Sequence, residues 1–114
     1  MNFDFSTHMA ASISQQLSDI EAQIDGAVAK VNADPGASPA LKAVVGELHS
    51  KTREARDGTK AADERAIRDH ILVAEEAADS AKHAAEAETQ LSEASRQAVL
   101  EAHEALRELK SVLP

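Results

Sequence analysis

The chain has 114 residues and a net charge of −8, from twenty acids and twelve bases. The length is that of one domain, and the negative charge argues against nucleic acid or an anionic membrane as a partner. The absence of cysteine excludes disulfides, thiol chemistry and iron–sulfur clusters. With only two aromatic residues, the composition favours helices over a β-sheet. We expect an all-α protein whose residues 1–114 form a single bundle domain.

The N-terminus has no features of a targeting segment. No lysine or arginine precedes Lys30, and no apolar run reaches the length of a secretory signal or of a membrane span, which takes roughly 20 residues. We therefore expect a cytoplasmic protein, with export by a signal-independent route left open. Residues 1–6 are expected to form a flexible N-terminus.

Apolar residues at helical spacing predict a first helix near residues 8–32. They fall on one side of the helix and comprise Met9, Ile13, Leu17, Ile20, Ile24, Val28 and Val31. Ser6 or Thr7 is the expected N-cap, because a side-chain oxygen there accepts a backbone N–H that the helix leaves unpaired. Pro35 and Gly36 then predict a turn.

A second helix is predicted near residues 39–57. Ser38 followed by Pro39 is typical of an N-cap and a first helical residue, where the missing N–H of proline has no cost. The apolar stripe of this helix comprises Leu41, Val44, Val45, Leu48, Thr52 and Ala55. Gly58 is expected to end the helix, and Thr59 to cap the next one.

The second half of the chain predicts two further helices, near residues 60–88 and 92–112. One apolar stripe comprises Ile67, Ile71, Ala74, Ala78, Ala81 and Ala85, and the other comprises Leu91, Ala98, Ala102, Ala105, Leu106, Leu109 and Leu113. On one straight helix the second stripe would be rotated by roughly 100° from the first. The polar residues 88–92 therefore predict a break, with Thr89 or Ser92 as the new N-cap. Four helices with short connections favour an antiparallel four-helix bundle.

The histidines do not match the motifs of helical bundles with known chemistry. The Glu-x-x-His motif of di-iron bundles is absent, and His49 lacks the His-x-x-Lys-Gly pattern of histidine-phosphotransfer domains, which are similar to this chain in size and charge. Asp79, His83 and Glu86 share a helical face that could bind a metal, although a solvated charged surface is the simpler interpretation. His70 is expected to be partly buried beside its apolar neighbours.

No arrangement of residues predicts catalysis. The serines lack a G-x-S-x-G context, and the glycines are isolated, so no phosphate-binding loop is expected. We predict a non-enzymatic protein without a cofactor or metal, which acts as a protein–protein interaction module. Two alternatives stay open: a histidine-phosphotransfer-like signalling domain without the usual motif, and a metal-dependent helical protein.

The surface feature that stands out is a basic stripe on the second helix. It comprises Lys42, Gly46, His49, Arg53 and Arg56. The glycine leaves a notch in the row, and the rest of the surface is acidic, so this stripe is the expected site if the protein binds an acidic partner. The competing interpretation is a solvated face, since cations near a helix C-terminus are favourable in themselves.

The oligomeric state is predicted to be a monomer or a weakly self-associating chain. Leu72 and Leu100 fall on the side of their helices opposite the predicted core residues. Their exposure would favour weak self-association, although single surface leucines are common.

In composition, and in the stretches LKAVVGELHSKTREARDGTK and RQAVLEAHEALRELK, the chain resembles small, alanine-rich, uncharacterised helical proteins of high-GC proteobacteria such as Burkholderia. The resemblance implies a bacterial protein with an all-helical fold. It implies no activity and no functional residue.

Overall fold

A computed structural model of the protein describes residues 2–59 and 64–113, with side chains from Ser12 onward. Four helices follow one another along the chain: α1 Asn2–Ala33, α2 Pro39–Gly58, α3 Glu64–Ala87 and α4 Glu93–Ser111. Each helix packs against the next, and α4 packs against α1, so that the helices surround one core. The all-α four-helix bundle predicted from the sequence is confirmed. No helix among the described residues combines the length and the apolarity that crossing a membrane requires.

The helix boundaries at one end of the bundle agree with the sequence. Ser38 is the N-cap of α2, and its hydroxyl oxygen accepts the backbone N–H of Leu41 at 3.1 Å. The predicted break between the third and fourth helices is confirmed, because α3 ends at Ala87 and Ser92 is the N-cap of α4. These side chains satisfy backbone groups that a helix start leaves unpaired.

Two predicted helix starts differ from the structure. Helix α1 begins at Asn2 and includes residues 2–6, because no proline or glycine interrupts the chain before the expected caps Ser6 and Thr7. Thr59, the predicted cap of the third helix, caps the end of α2, where its hydroxyl donates to the carbonyl of Arg56 at 2.6 Å. The expected start of the third helix at residue 60 lies outside the described residues.

The core is close to the predicted one. In α3 all six predicted positions are buried, and Leu17, Ile24, Leu48 and Leu106 are fully inaccessible to solvent. In α1 the inward position is Ala27, whereas the neighbouring Val28 is only half-buried. Both positions fit the helical spacing between Ile24 and Val31, so the spacing alone does not distinguish them. The predicted core residue Met9 lies outside the described side chains.

The hairpin α1–α2 and the hairpin α3–α4 have matching positions throughout. Their N-caps, Ser38 and Ser92, are 54 residues apart, and the same offset aligns the two halves without insertion or deletion. It pairs most of the buried positions: Ile13/Ile67, Leu17/Ile71, Ile20/Ala74, Ile24/Ala78, Ala27/Ala81, Val31/Ala85, Leu41/Ser95, Val45/Val99, Leu48/Ala102, Thr52/Leu106 and Ala55/Leu109. In this arrangement of helices, a half-turn about the bundle axis exchanges the two hairpins.

The loops of the two hairpins bind each other at this axis. The backbone N–H of Ser92 donates to the Asp34 carboxylate at 3.0 Å, and that of Ser38 donates to the Glu88 carboxylate at 2.7 Å. Asp34 and Glu88 are themselves one repeat apart, so each loop supplies an acceptor to the helix start of the other. This exchange holds the two hairpins together at one end of the bundle.

The Asp34 carboxylate accepts hydrogen bonds that stabilise its charged form. The backbone N–H of Ser92 is the stronger influence, and the backbone N–H of Gly36 at 2.9 Å is the next. These bonds hold the pKa of Asp34 well below its usual range. Gly36 also lies so close to the backbone of Gln90 that an added Cβ would fall 1.9 Å from the Gln90 carbonyl oxygen.

Candidate partner-binding surface

The structure brings the predicted basic stripe together on α2, next to α1. Lys42 is exposed and forms no ion pair among the described residues, and the Arg53 side chain is also exposed, to 56%. A Cβ added at Gly46 would meet no atom within 4 Å, so the predicted notch is open. The sequence analysis gave no indication of which residues lie opposite the stripe.

Arg56 is engaged in a contact between helices. Its Nη1 lies 2.6 Å from Oε1 of Glu21 on α1, whose side chain is only 10% exposed. A carboxylate this deeply buried requires a partner, because its desolvation is costly. Arg56 therefore stabilises the packing of α2 on α1, and Glu21 is a buried acid.

His49 and Arg53 of the stripe also face acids of α1. The His49 imidazole is 20% exposed and contacts the Asp25 carboxylate. The Arg53 Nε lies 4.0 Å from Oε2 of Glu21, which is too far for a hydrogen bond, and that buried oxygen has no hydrogen-bond partner. Three of the four basic residues therefore face carboxylates within the chain, which corrects the interpretation of a row of free charges.

The charged contact line between α3 and α4, which we call a seam like that between α1 and α2, has the same arrangement 54 residues later in the chain. The His103 Nε2 lies 3.4 Å from Asp79, and the Lys110 Nζ lies 3.5 Å from Glu75. These residues correspond to those that form the His49–Asp25 and Arg56–Glu21 contacts. The sequence contains a signal for both seams. In each half, two acids are four residues apart on the first helix, and a histidine and a cation are seven residues apart on the second.

The structure describes two further histidine side chains, His70 and His83. His83 is 69% exposed and lies 3.6 Å from Asp79 and 3.9 Å from Glu86, so this face is a charged surface. Across the described part of the chain, no group of three or more acidic or histidine side chains is placed to hold a metal ion. His70 is exposed, contrary to prediction, because it lies beside Gly58 at the end of α2, where the core does not reach.

The two leucines proposed for self-association are less exposed than expected. Leu72 and Leu100 are both half-buried. The exposed large apolar side chains of the described residues are Val73 and Val112, which are 43% and 64% accessible. Weak self-association therefore has no support from the two leucines and stays a prediction.

The geometry of the described residues defines an all-α four-helix bundle with two charged interhelical seams. Comparison of the chain with protein-family models, curated proteins and solved structures gives no match. Because unrelated functions share this fold class, the fold alone assigns none of them. The function has to be argued from the surface residues.

Proposed function

We propose that the protein is a non-enzymatic helical bundle that acts through protein–protein contact. An acidic segment of a protein partner would bind α2 at the two cations of the stripe that remain accessible, Lys42 and Arg53. The observation that carries the proposal is Arg53, which is more than half exposed and makes no hydrogen bond to its nearest acid, Glu21. Arginine binds carboxylates through two parallel hydrogen bonds, so an accessible guanidinium suits such a partner.

The notch at Gly46 supports the same surface. Gly46 lies between Lys42 and Arg53 along α2, and the space beside it is open. A partner backbone could therefore approach the helix more closely here than at a position with a side chain. Because His49 and Arg56 already face acids, we expect two cations to carry most of the attraction. Exposed contacts of this kind weaken as salt is added, over a screening length of about 8 Å at physiological ionic strength.

The test is charge reversal at Arg53, with binding of a fluorescently labelled glutamate-rich peptide measured by anisotropy. Arg53→Glu should weaken binding about tenfold, since a hydrogen bond to a charged group contributes roughly 1.5–3 kcal/mol. Arg56 is left intact because it holds α2 against α1. The matched control is Arg68→Glu, the same change at an exposed position of α3.

Circular dichroism of each variant establishes that helicity is unchanged. Peptide binding that is as tight in the folded Arg53→Glu protein as in the wild type would contradict the proposal. An equal loss in Arg68→Glu would also contradict it, because the attraction would then depend on net charge and not on the stripe.

A further inference from the structure

The dipeptide Asp-Gly occurs twice in the chain, at Asp25–Gly26 and Asp57–Gly58. The first lies inside α1, whereas the second forms the last two residues of α2. Both aspartate side chains are accessible, 61% at Asp25 and 55% at Asp57. An Asp-Gly sequence is reactive because glycine has no Cβ, so nothing on that residue hinders contact between its amide nitrogen and the aspartate carboxyl group. The chain therefore contains the same reactive dipeptide in two different structural settings.

We propose that Asp57 is a site of spontaneous isomerisation to isoaspartate, and that the fold protects Asp25 from the same reaction. The proposal does not depend on the proposed function, which concerns other residues of α2. It assigns a covalent modification to the end of α2, with water as the only co-reactant. The position of each dipeptide in its helix decides which of the two reacts.

The reaction proceeds through a five-membered succinimide ring. The amide nitrogen of Gly58 loses its proton and attacks Cγ of Asp57, and one carboxyl oxygen leaves as water. Water then opens the ring at one of its two carbonyl carbons. Opening at Cγ restores aspartate, whereas opening at the backbone carbonyl carbon of Asp57 gives isoaspartate, in which the chain continues through the side chain. The water lost in the first step is regained in the second, and no atom is oxidised or reduced.

At Asp25 the helix blocks ring closure. The glycine N–H has to be released before its nitrogen can react, and inside a helix that N–H is held by the carbonyl four residues earlier. The residues on either side of the dipeptide, Ile24 and Ala27, are buried, so opening this turn would displace the core. The Asp25 carboxylate is also in contact with His49 on α2. Asp25 is therefore released only when the bundle unfolds as a whole.

At Asp57 the helix can open locally. The hydrophobic core of α2 ends at Ala55, and the last turn of a helix opens more readily than its interior. The neighbouring Arg56 does not hold the carboxylate firmly, because its Nη2 lies 3.5 Å from Asp57 whereas its Nη1 lies 2.6 Å from Glu21. The contact that keeps this end closed is the hydroxyl of Thr59, which donates to the Arg56 carbonyl at 2.6 Å. Thr59 therefore controls how often this turn opens.

Isoaspartate at position 57 would alter the end of α2. The backbone would then contain an additional carbon atom after Arg56, because the chain would pass through the side chain of the modified residue. The backbone N–H of Thr59 could no longer keep its bonds to the carbonyls of Arg56 and Asp57. Arg56 also holds the buried Glu21 of α1. The modification would therefore weaken the attachment of α2 to α1.

Incubation of the full-length protein in heavy-oxygen water at neutral pH tests the proposal. Opening of a succinimide introduces one oxygen atom from water, which peptide mass spectrometry assigns to a residue, and an isoaspartyl methyltransferase then measures the isoaspartate formed. The reference is the same protein in guanidinium chloride, where both dipeptides should react. In the folded protein Asp57 should react within about tenfold of the reference rate, because only one turn has to open. Asp25 should react at least about a hundredfold more slowly than in the reference, since its reaction requires unfolding of the bundle.

Two matched substitutions test the role of the helix end. Thr59→Val removes the hydroxyl while keeping the branched shape, and should accelerate the reaction at Asp57 about two- to tenfold, the effect of losing one hydrogen bond. Thr52→Val makes the same change inside α2, where the hydroxyl donates to the Leu48 carbonyl at 2.9 Å, and should leave the rate unchanged. Circular dichroism establishes that both variants are folded. Equal rates at the two aspartates of the folded protein, or protection of both, would overturn the proposal. So would an unchanged rate in Thr59→Val or an equal acceleration in Thr52→Val, because opening at the end of α2 would then not control the reaction.

Discussion

Replacing Gly36 by alanine tests the exchange of loops at the bundle axis. The added Cβ would lie 1.9 Å from the carbonyl oxygen of Gln90, whereas ordinary contact begins near 3.4 Å. The atom in the way belongs to the backbone, so no side-chain rotation relieves the overlap. The two loops would have to separate by about 1.5 Å, which follows from these two distances.

That displacement would strain or break the hydrogen bonds between the loops, which are 2.7 and 3.0 Å long at the backbone N–H groups of Ser38 and Ser92. Overpacking of a close contact costs about 1–3 kcal/mol. We therefore expect Gly36→Ala to lower the free energy of unfolding by that amount. For a domain of this size, each 1 kcal/mol corresponds to a decrease of roughly 4 °C in Tm.

Urea unfolding followed by circular dichroism measures the change. Gly26→Ala and Gly46→Ala are matched controls, since both glycines lie inside helices and an added Cβ would meet nothing within 4 Å. Each control should stabilise the protein by about 0.5–1 kcal/mol, because alanine favours the helix over glycine. A Gly36→Ala protein as stable as the wild type would refute the close approach of the two loops.

Three further predictions concern stability. Arg56→Ala should lower the free energy of unfolding in urea by about 1–3 kcal/mol, because it leaves the buried Glu21 carboxylate unpaired. Lys110→Ala, which removes a more exposed ion pair, should lower it by less than about 1 kcal/mol. Equal losses in the two variants would contradict the difference in burial. Leu48→Ala should cost about 2–5 kcal/mol, and a smaller loss would mean that the side chain is not in the core. Because folding lowers the pKa of Asp34, its contribution to stability is present above the ordinary value of 3.8 and is lost as the pH falls below it. Asp34→Asn should therefore reduce the fall in Tm on acidification, and an unchanged pH profile would contradict this role.

The fold could be predicted from the sequence because its apolar stripes are regular. In α3 the predicted stripe keeps the helical spacing throughout, and all six predicted residues are buried. The break before α4 followed from the phase of the next stripe, and Ser92 supplies the cap that the phase change requires. In α1 the stripe was predicted to contain Val28, but Ala27 fits the spacing between Ile24 and Val31 equally well and is the residue that is buried.

The partners of the charged residues were harder to predict. Stripe positions place Arg56 and His49 at the edge of α2, but only the packing of α1 brings Glu21 and Asp25 opposite them. Glu21 follows the core residue Ile20 directly, which on a helical wheel indicates a solvated side chain. Burial of the acid depends on the neighbouring helix, so a single-helix pattern could not show it.

The internal repeat was present in the sequence and is obscured by its core. Many equivalent core positions differ, as Ile24 and Ala78 do, and only Ile13/Ile67, Ala27/Ala81 and Val45/Val99 are identical among the paired buried apolar residues. Other identities involve charged residues, such as Glu21/Glu75 and Asp25/Asp79, which a search for apolar periodicity ignores. The exchanged contacts of Asp34 and Glu88 made the equivalence of the halves apparent.

Amide hydrogen exchange at Ser38 and Ser92 tests most directly whether the chain is two equivalent hairpins joined across an axis. Both N–H groups belong to N-caps, which have no partner within their own helix, so protection has to come from the opposite loop. Both amides should be protected in the wild type. Glu88→Ala should expose Ser38 alone, and Asp34→Ala should expose Ser92 alone. Exchange of both amides at unprotected rates in the wild-type protein would contradict the account.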